Sequence, residues 1–350
     1  MNILKMFFIK DKKGMEEEKN DTKERKSLAN KLDEIIQTDV TKEVVSEDEV
    51  VESIYENHGP EIPKVTLEKD VVLTEKTKVQ LDECKAKLKY HKKIYQEWNF
   101  SSVDPLGRSL IVNFFGNPGT GKTLAAQGFA GSLGLPLIQV GIAELESKFM
   151  GETSHNIQNI FKRAHETQAV LFFDEADTLL GKRLSSVTQG VDNEVNAMRS
   201  TLLIELEKFD GIVIFATNFV KNYDSAFLSR ISHQIEFELP DLEGRNRLWA
   251  HMLVDEIPLS GSKTAIVQRC AERSEGMSGR EIRTCMRLSL PKAFIEAEQE
   301  GGEAILKETH LTAAIDQVIT AKVNIKNSGS RTAAAKDSVN LTKKLLGVEG

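Results

Sequence analysis

The stretch GNPGTGKT, Gly116 to Thr123, follows the apolar run SLIVNFF (residues 109–115) and opens a helical stretch near Thr123. It fits GxxxxGK[ST] in the strand-to-helix setting that a phosphate-cradling loop requires. The candidate cradle is Gly116, Asn117, Pro118, Gly119, Thr120, Gly121, Lys122 and Thr123. Its glycines permit the tight turn, while backbone N–H groups and the helix N-terminus face an anion. Lys122 is placed to reach the β and γ phosphates of ATP and Thr123 to coordinate Mg²⁺. A glycine-rich turn that binds nothing is the bland alternative, and the strand in front of it argues against that.

Around this loop, short apolar runs alternate with helix-sized stretches: LPLIQV (135–140), AVLFF (169–173), GIVIFA (211–216) and IEFEL (235–239). Continuous apolar runs are what strands covered on both faces need. The expected fold is α/β, a P-loop parallel sheet sandwiched by helices. After Pro240 only helical periodicity remains, in DLEGRNRLWAHML, KTAIVQRCAERS, SGREIRTCMRLSLPKAFIEAEQE and ETHLTAAIDQVIT. A small all-α lid subdomain is expected there. The predicted organisation is a flexible, charged N-terminal arm with short helices (1–69), the α/β nucleotide-binding subdomain (70–240), the helical lid (241–322) and a polar tail (323–350). At the first boundary, Leu81, Cys84, Leu88, Tyr95 and Trp98 are spaced as one face of a helix with Thr74 as its N-cap, broken by SSVDPLG.

The run VLFFDEAD (170–177) ends in an acidic quartet. Asp174 closes a strand and can hold the Mg²⁺ shell, while Glu175 orients and polarises the attacking water. A helicase carrying these four letters would need a second RecA-like lobe, and the helical region after Pro240 does not offer one. Asp177 is read as capping or solvating the loop after the strand.

The chain has 350 residues, 40% of them hydrophobic, and a formal net charge of −7. That length supports one large domain or two modest ones, and the charge disfavours a broad nucleic-acid-binding surface. Cys84, Cys270 and Cys285 are far apart with no CxxC pair, which argues against structural zinc or a disulfide framework and fits a cytoplasmic setting. The opening MNILKMFFIK has too short an apolar core for a membrane span, so stable insertion is not expected. The seven histidines form no HExxH or similar ligand set, and no GxSxG motif is present.

From roughly Leu67 to Ala321 the motifs and their order resemble the AAA+ ATPases, within them the AAA subgroup that remodels proteins. The resemblance implies roles for particular residues. In FATN, Asn218 stands where the family's sensor-1 residue helps hold the lytic water. In YDSAFLSRISHQIEFELP, Arg230 is the residue that fits an arginine finger supplied to a neighbouring subunit. Many AAA members carry two adjacent arginines there, and Ser229 replaces one of them in this chain. A finger acting in trans implies a homo-oligomer, and by resemblance a hexameric ring. In GMSGREI, Arg280 stands where a lid arginine often faces the nucleotide.

In SKFMGETSHNIQNIF, Phe149, Met150 and Gly151 match the pore-loop signature with which protein-remodelling members grip a polypeptide. A flat apolar side chain beside a flexible one can hold many peptide side chains without reading sequence. GKRLSSVTQGVDNEV (181–195) occupies the position of the second pore loop, and a solvated surface loop explains it equally well. The expected function is therefore ATP-driven remodelling, unfolding or disassembly of a protein substrate. HORMA-type partner remodelling is a subtype. The alternatives are a nucleic-acid-associated motor or loader and a scaffold that assembles with ATP but scarcely hydrolyses it. Glu175, Asn218 and Arg230 together argue against the scaffold.

Overall fold

Four of the five strands of the sheet are largely apolar at successive positions because both faces are covered, while the edge strand HQIEF (233–237) alternates between buried and partly exposed residues. The computed structural model describes residues 60–104, 107, 109–141, 145, 152–181, 190–218 and 223–324. Five strands appear: β1 (Leu110–Gly116), β2 (Leu137–Gly141), β3 (Val170–Asp174), β4 (Ile212–Thr217) and β5 (His233–Phe237). They pair in the order β2-β3-β4-β1-β5, every pair parallel. Each of the five apolar runs overlaps one of these strands; four strands end one residue beyond their run, and β5 begins two residues before IEFEL.

Side chains alternate between the faces with period two. Leu171 and Phe173 of β3, with Val213 and Phe215 of β4, enter one core against α4 (Glu152–Thr167) and α6 (Gly190–Lys208). Val170, Phe172, Ile212 and Ile214 enter the other, against α2 (Glu75–Lys89) and α3 (Lys122–Leu133). Phe172, Phe173 and Phe215 are all fully buried. Each contributes on the order of 2–3 kcal/mol of hydrophobic stabilisation.

Thr74 caps α2 as expected, its hydroxyl accepting from the Thr77 amide. The helix nevertheless stops at Lys89 instead of running on to Trp98. A π turn (Lys93–Glu97) and a 3₁₀ turn (Phe100–Ser102) follow, and Asn99 between them is left-handed at φ 55°. Tyr95 stays buried, but Trp98 is 69% exposed, so it lies on no buried helical face.

Residues 60–69, read from sequence as the end of the arm, pack against α3. Leu137 donates its amide to the Glu61 carbonyl, and Leu67, the first residue of the short helix α1 (Leu67–Asp70), is buried in the core. A Cβ on Gly131 of α3 would lie 2.0 Å from the Val65 carbonyl oxygen. Only a glycine lets this segment run so close.

The short helices α5 (Asp177–Leu180) and α7 (Ser225–Leu228) border the sheet's C-terminal edge. Beyond β5 come α8 (Leu242–Met252), α9 (Lys263–Arg273), α10 (Gly279–Glu300) and α11 (308–324). Trp249, Ile266, Cys270, Ile282 and Leu311 share their separate core. Ser278 and Glu281 form a reciprocal capping box at the start of α10. The expectation of helices alone needs one amendment, an isolated bridge between Leu259 and Leu306. Among the described residues no helix is long and apolar enough to cross a membrane.

Candidate active site

In a parallel sheet all strand C-termini open on one edge, and the strand order decides which residues meet there. Here β4 lies between β1 and β3. The residue after β4 is therefore flanked by the phosphate loop on one side and the acidic strand end on the other.

The loop has the backbone its glycines allow: φ is +140° at Gly116, +79° at Gly119 and +98° at Gly121. Lys122 begins α3 and is buried. Its ammonium donates to the Gly116 carbonyl at 2.8 Å, the Asn117 carbonyl at 3.0 Å and Asn218 Oδ1 at 2.9 Å. Burial pushes its pKa down, Asp174 and Asp177 oppose that, and Arg280 adds to it. Thr123 donates its hydroxyl to Asp174 Oδ2 at 2.9 Å. A hydroxyl and a carboxylate so close form a hard-oxygen pair of the kind Mg²⁺ takes.

Glu175 is exposed and left-handed, with φ 53°. For a residue with a Cβ that backbone costs on the order of 1–2 kcal/mol. Two hydrogen bonds hold it: the Glu175 amide to Asp174 Oδ1 at 3.0 Å, and the Ala176 amide to the Ala216 carbonyl of β4 at 2.9 Å. The strand's path is broken at this residue, leaving the carboxylate facing solvent above the sheet edge.

Asp177 does more than solvate a loop. It begins α5, and its Oδ1 accepts the Asn218 amide at 3.1 Å. Asn218 is thus held through its backbone by the acidic segment while its side chain holds Lys122. The third position after Asp174 was the available sequence signal, but the sequence does not show that Asn218 lies above it.

Arg230 is folded back on its own chain. It donates to the Ala226 carbonyl at 2.6 Å and pairs with the Glu207 carboxylate at the end of α6. Its Nε is buried without a hydrogen-bond partner among the described residues. The segment before it is anchored by Tyr223, whose hydroxyl bonds Thr217 Oγ1 at 2.7 Å and Asn113 Nδ2 at 3.3 Å. Neither Glu207 nor Tyr223 is marked by any motif in the sequence.

The helical lid closes on the loop. The Arg280 amide donates to the Gly119 carbonyl at 3.2 Å, and a Cβ on Gly119 would lie 2.7 Å from the Arg280 Cβ. Arg280 is exposed and lines a cavity of about 510 Å³ between sheet and lid, together with Lys122, Asp174, Glu175 and Asn218. Val72 and Leu73, just ahead of α2, line the same cavity. They carry no motif, so the sequence reading missed them. Phe149, Met150 and Gly151 lie outside the described residues, as does 182–189 of the second candidate pore loop.

Residues 112–239 match the model of the ATPase family associated with various cellular activities (AAA). The chain is 33% identical over 207 residues to the 26S proteasome regulatory subunit 7 homolog of Schizosaccharomyces pombe, covering 54% of this chain and 47% of that protein. It is 32% identical over 258 residues to the ATP-dependent zinc metalloprotease FtsH of Lancefieldella parvula, covering 72% and 37%. The chain therefore spans less than half the length of these relatives. The crystal structure of the FIGL-1 AAA domain in complex with ADP shares the fold, with a TM-score of 0.60, 20% identity, and coverage of 78% of this chain and 91% of that one. Residues 112–239 thus form a module of the AAA type, which places them in the AAA+ ATPase superfamily, and the domain architecture around them is consistent with an ATP-hydrolysing enzyme.

Proposed function

We propose that this chain binds ATP with Mg²⁺, hydrolyses it at the junction of two copies in a ring, expected to be a hexamer, and uses the cycle to remodel protein substrates. One arrangement carries the reading. Lys122, Asn218, Asp174 and Glu175 meet at one sheet edge, joined by the 2.9 Å contacts Lys122–Asn218 and Thr123–Asp174. Names of relatives point the same way, one a regulatory subunit of the 26S proteasome and another an ATP-dependent metalloprotease.

In this reading the loop amides and Lys122 bind the triphosphate, and Thr123 and Asp174 hold the metal. Bound Mg²⁺ supplies charge neutralisation at the phosphate oxygens. Glu175 accepts the proton of the attacking water, and Asn218 holds that water in line. Arg230 leaves Glu207 and stabilises charge on a neighbour's γ-phosphate. Arg280 couples lid position to the phosphate loop. Phe149 and Met150 grip the polypeptide. The division 1–69, 70–240, 241–322 and 323–350 assigns these tasks to the second and third segments.

Glu175→Gln tests the chemistry. It is expected to bind ATP, lose turnover and favour stable rings, and normal hydrolysis by this variant overturns the assignment. Phe149→Ala is expected to keep basal ATPase activity and lose substrate processing.

A further inference from the structure

We propose that the end of α2 and the two turns after it form a surface that docks reversibly on a membrane bearing anionic lipid. Residues 85–103 hold five lysines and one histidine against a single acid, Glu97, in a chain whose net charge is −7. Two of the lysines are used internally: Lys85 pairs with Asp82 and Glu68, and Lys87 donates to the Ser109 carbonyl. The other three are exposed. Lys89 stands over the Tyr90 ring, 5.3 Å from its centroid. Lys92 and Lys93 make no ion pair among the described residues.

Beside these lysines stand four exposed apolar or aromatic side chains: Tyr90 at 48%, Trp98 at 69%, Phe100 at 44% and Val103 at 77% exposure. Single exposed hydrophobic residues are ordinary, but four within fourteen residues of a lysine cluster are not. The turn that carries them is built to hold them out. Buried Tyr95 stacks on His91 at 4.7 Å and meets the edge of Phe100 at 5.7 Å. The Trp98 amide closes on the Lys93 carbonyl at 2.8 Å, and left-handed Asn99 then reverses the chain. Asp104, the next acid along the chain, is engaged with the Tyr95 hydroxyl.

This composition fits a lipid interface. Tryptophan and tyrosine settle at headgroup depth, lysines meet anionic headgroups, and short apolar side chains enter the acyl boundary. Val103, the most exposed of the four, is aliphatic, and the chain as a whole carries a net charge of −7, which together weigh against single-stranded nucleic acid.

The full chain carries its own reporter. Of its two tryptophans, Trp249 is fully buried with its Nε1 bonded to Ser274, so a change in emission on docking reports Trp98. Adding phosphatidylcholine vesicles containing phosphatidylserine is expected to shift the emission to the blue and carry the protein into the floated fraction, reversibly with salt. Pure phosphatidylcholine is expected to do neither. K92E/K93E is expected to weaken partitioning by about tenfold or more, and V103D to remove the shift. Both should leave basal ATPase activity and the thermal transition unchanged. The proposal is overturned if anionic vesicles produce no shift or if K92E/K93E partitions like the unmodified chain. It is equally overturned if the shift appears with nucleotide or protein concentration alone, which makes a second copy the cover, or with DNA or an acidic peptide but not vesicles.

Discussion

Lys122 and Asn218, 96 positions apart in the sequence, are joined by a 2.9 Å hydrogen bond from ammonium to amide oxygen. The bond exists because β4 is inserted between β1 and β3. It orients a buried cation and a polar strand end toward the same point. Removing the amide in Asn218→Ala leaves the phosphate loop intact, so nucleotide affinity should change by no more than severalfold. Turnover should fall by about 100-fold, the scale of losing one positioned polar group in a reaction centre. Equilibrium binding of a fluorescent nucleotide beside steady-state hydrolysis separates the two effects, and equal losses in both would contradict the role.

Asp177 holds the backbone of that same asparagine. Asp177→Ala strands the Asn218 amide and is expected to lower kcat about tenfold with KM within twofold, while Asp177→Asn, which retains an acceptor, keeps most of the rate. If the two variants behave alike, the contact plays no part in turnover.

Arg230→Ala is expected to reduce hydrolysis by about 10³-fold without affecting nucleotide binding. Mixed with Glu175→Gln it should recover activity, because some junctions then pair an intact finger with an intact base. In the proposed role the guanidinium leaves Glu207, so Glu207→Gln should lower the protein concentration at which activity is half maximal. An activity independent of protein concentration, with no recovery on mixing, would remove the shared-site reading.

Gly119 combines a φ of +79° with an Arg280 Cβ that would lie 2.7 Å from any added methyl. Gly119→Ala should therefore cost about 1–3 kcal/mol in stability and weaken nucleotide binding by more than tenfold. Thermal unfolding with and without ATP reads both. An alanine variant with unchanged melting would show that the lid does not sit on the loop in solution.

Glu68 ties the segment ahead of α2 to the core. Ser132 donates its hydroxyl to Glu68 at 2.7 Å while accepting the Leu67 amide, and Lys85 lies 3.0 Å away. The Ser132 hydrogen bond, helped by Lys85 and opposed by burial, holds this carboxyl at about 2. A depressed carboxylate stabilises the fold above its unfolded value and loses that contribution as pH falls from about 4.5 toward 2. The side chain is largely exposed, so solvent screening limits the effect to about 1 kcal/mol or less. Melting of the unmodified chain against Glu68→Gln should differ most near neutral pH, with the difference shrinking below about pH 4.5 and closing near pH 2.

Strands β1 to β4 and the phosphate loop were legible because a buried parallel strand is apolar at nearly every position and a phosphate cradle needs glycine at fixed intervals, whereas β5, with His233, Gln234 and Glu236, was caught only in its second half. Lys122, Thr123 and Asp174 belong to that local grammar. Asp177, Tyr223 and Glu207 do not, because their partners are set by strand order, which no spacing records. Trp98 misled for a related reason. Its distance from Leu81 suits a helix, and only the π turn and the left-handed Asn99 show that the chain has already left it. Residues 60–69 have the composition of an arm, yet a glycine notch in α3 receives them.

The hydroxyl of Tyr223 sits between Asn113 of the strand that feeds the phosphate loop and Thr217 of the strand that ends beside Asn218, and the chain it anchors leads directly into α7 and Arg230. In the proposed ring, one phenol thereby connects the pocket a subunit fills with the arginine it would extend to the next. Tyr223→Phe should keep each pocket competent while loosening the order of firing around an assembly. Its signature is a loss of cooperativity in the ATP dependence of the rate, at nearly unchanged maximal speed.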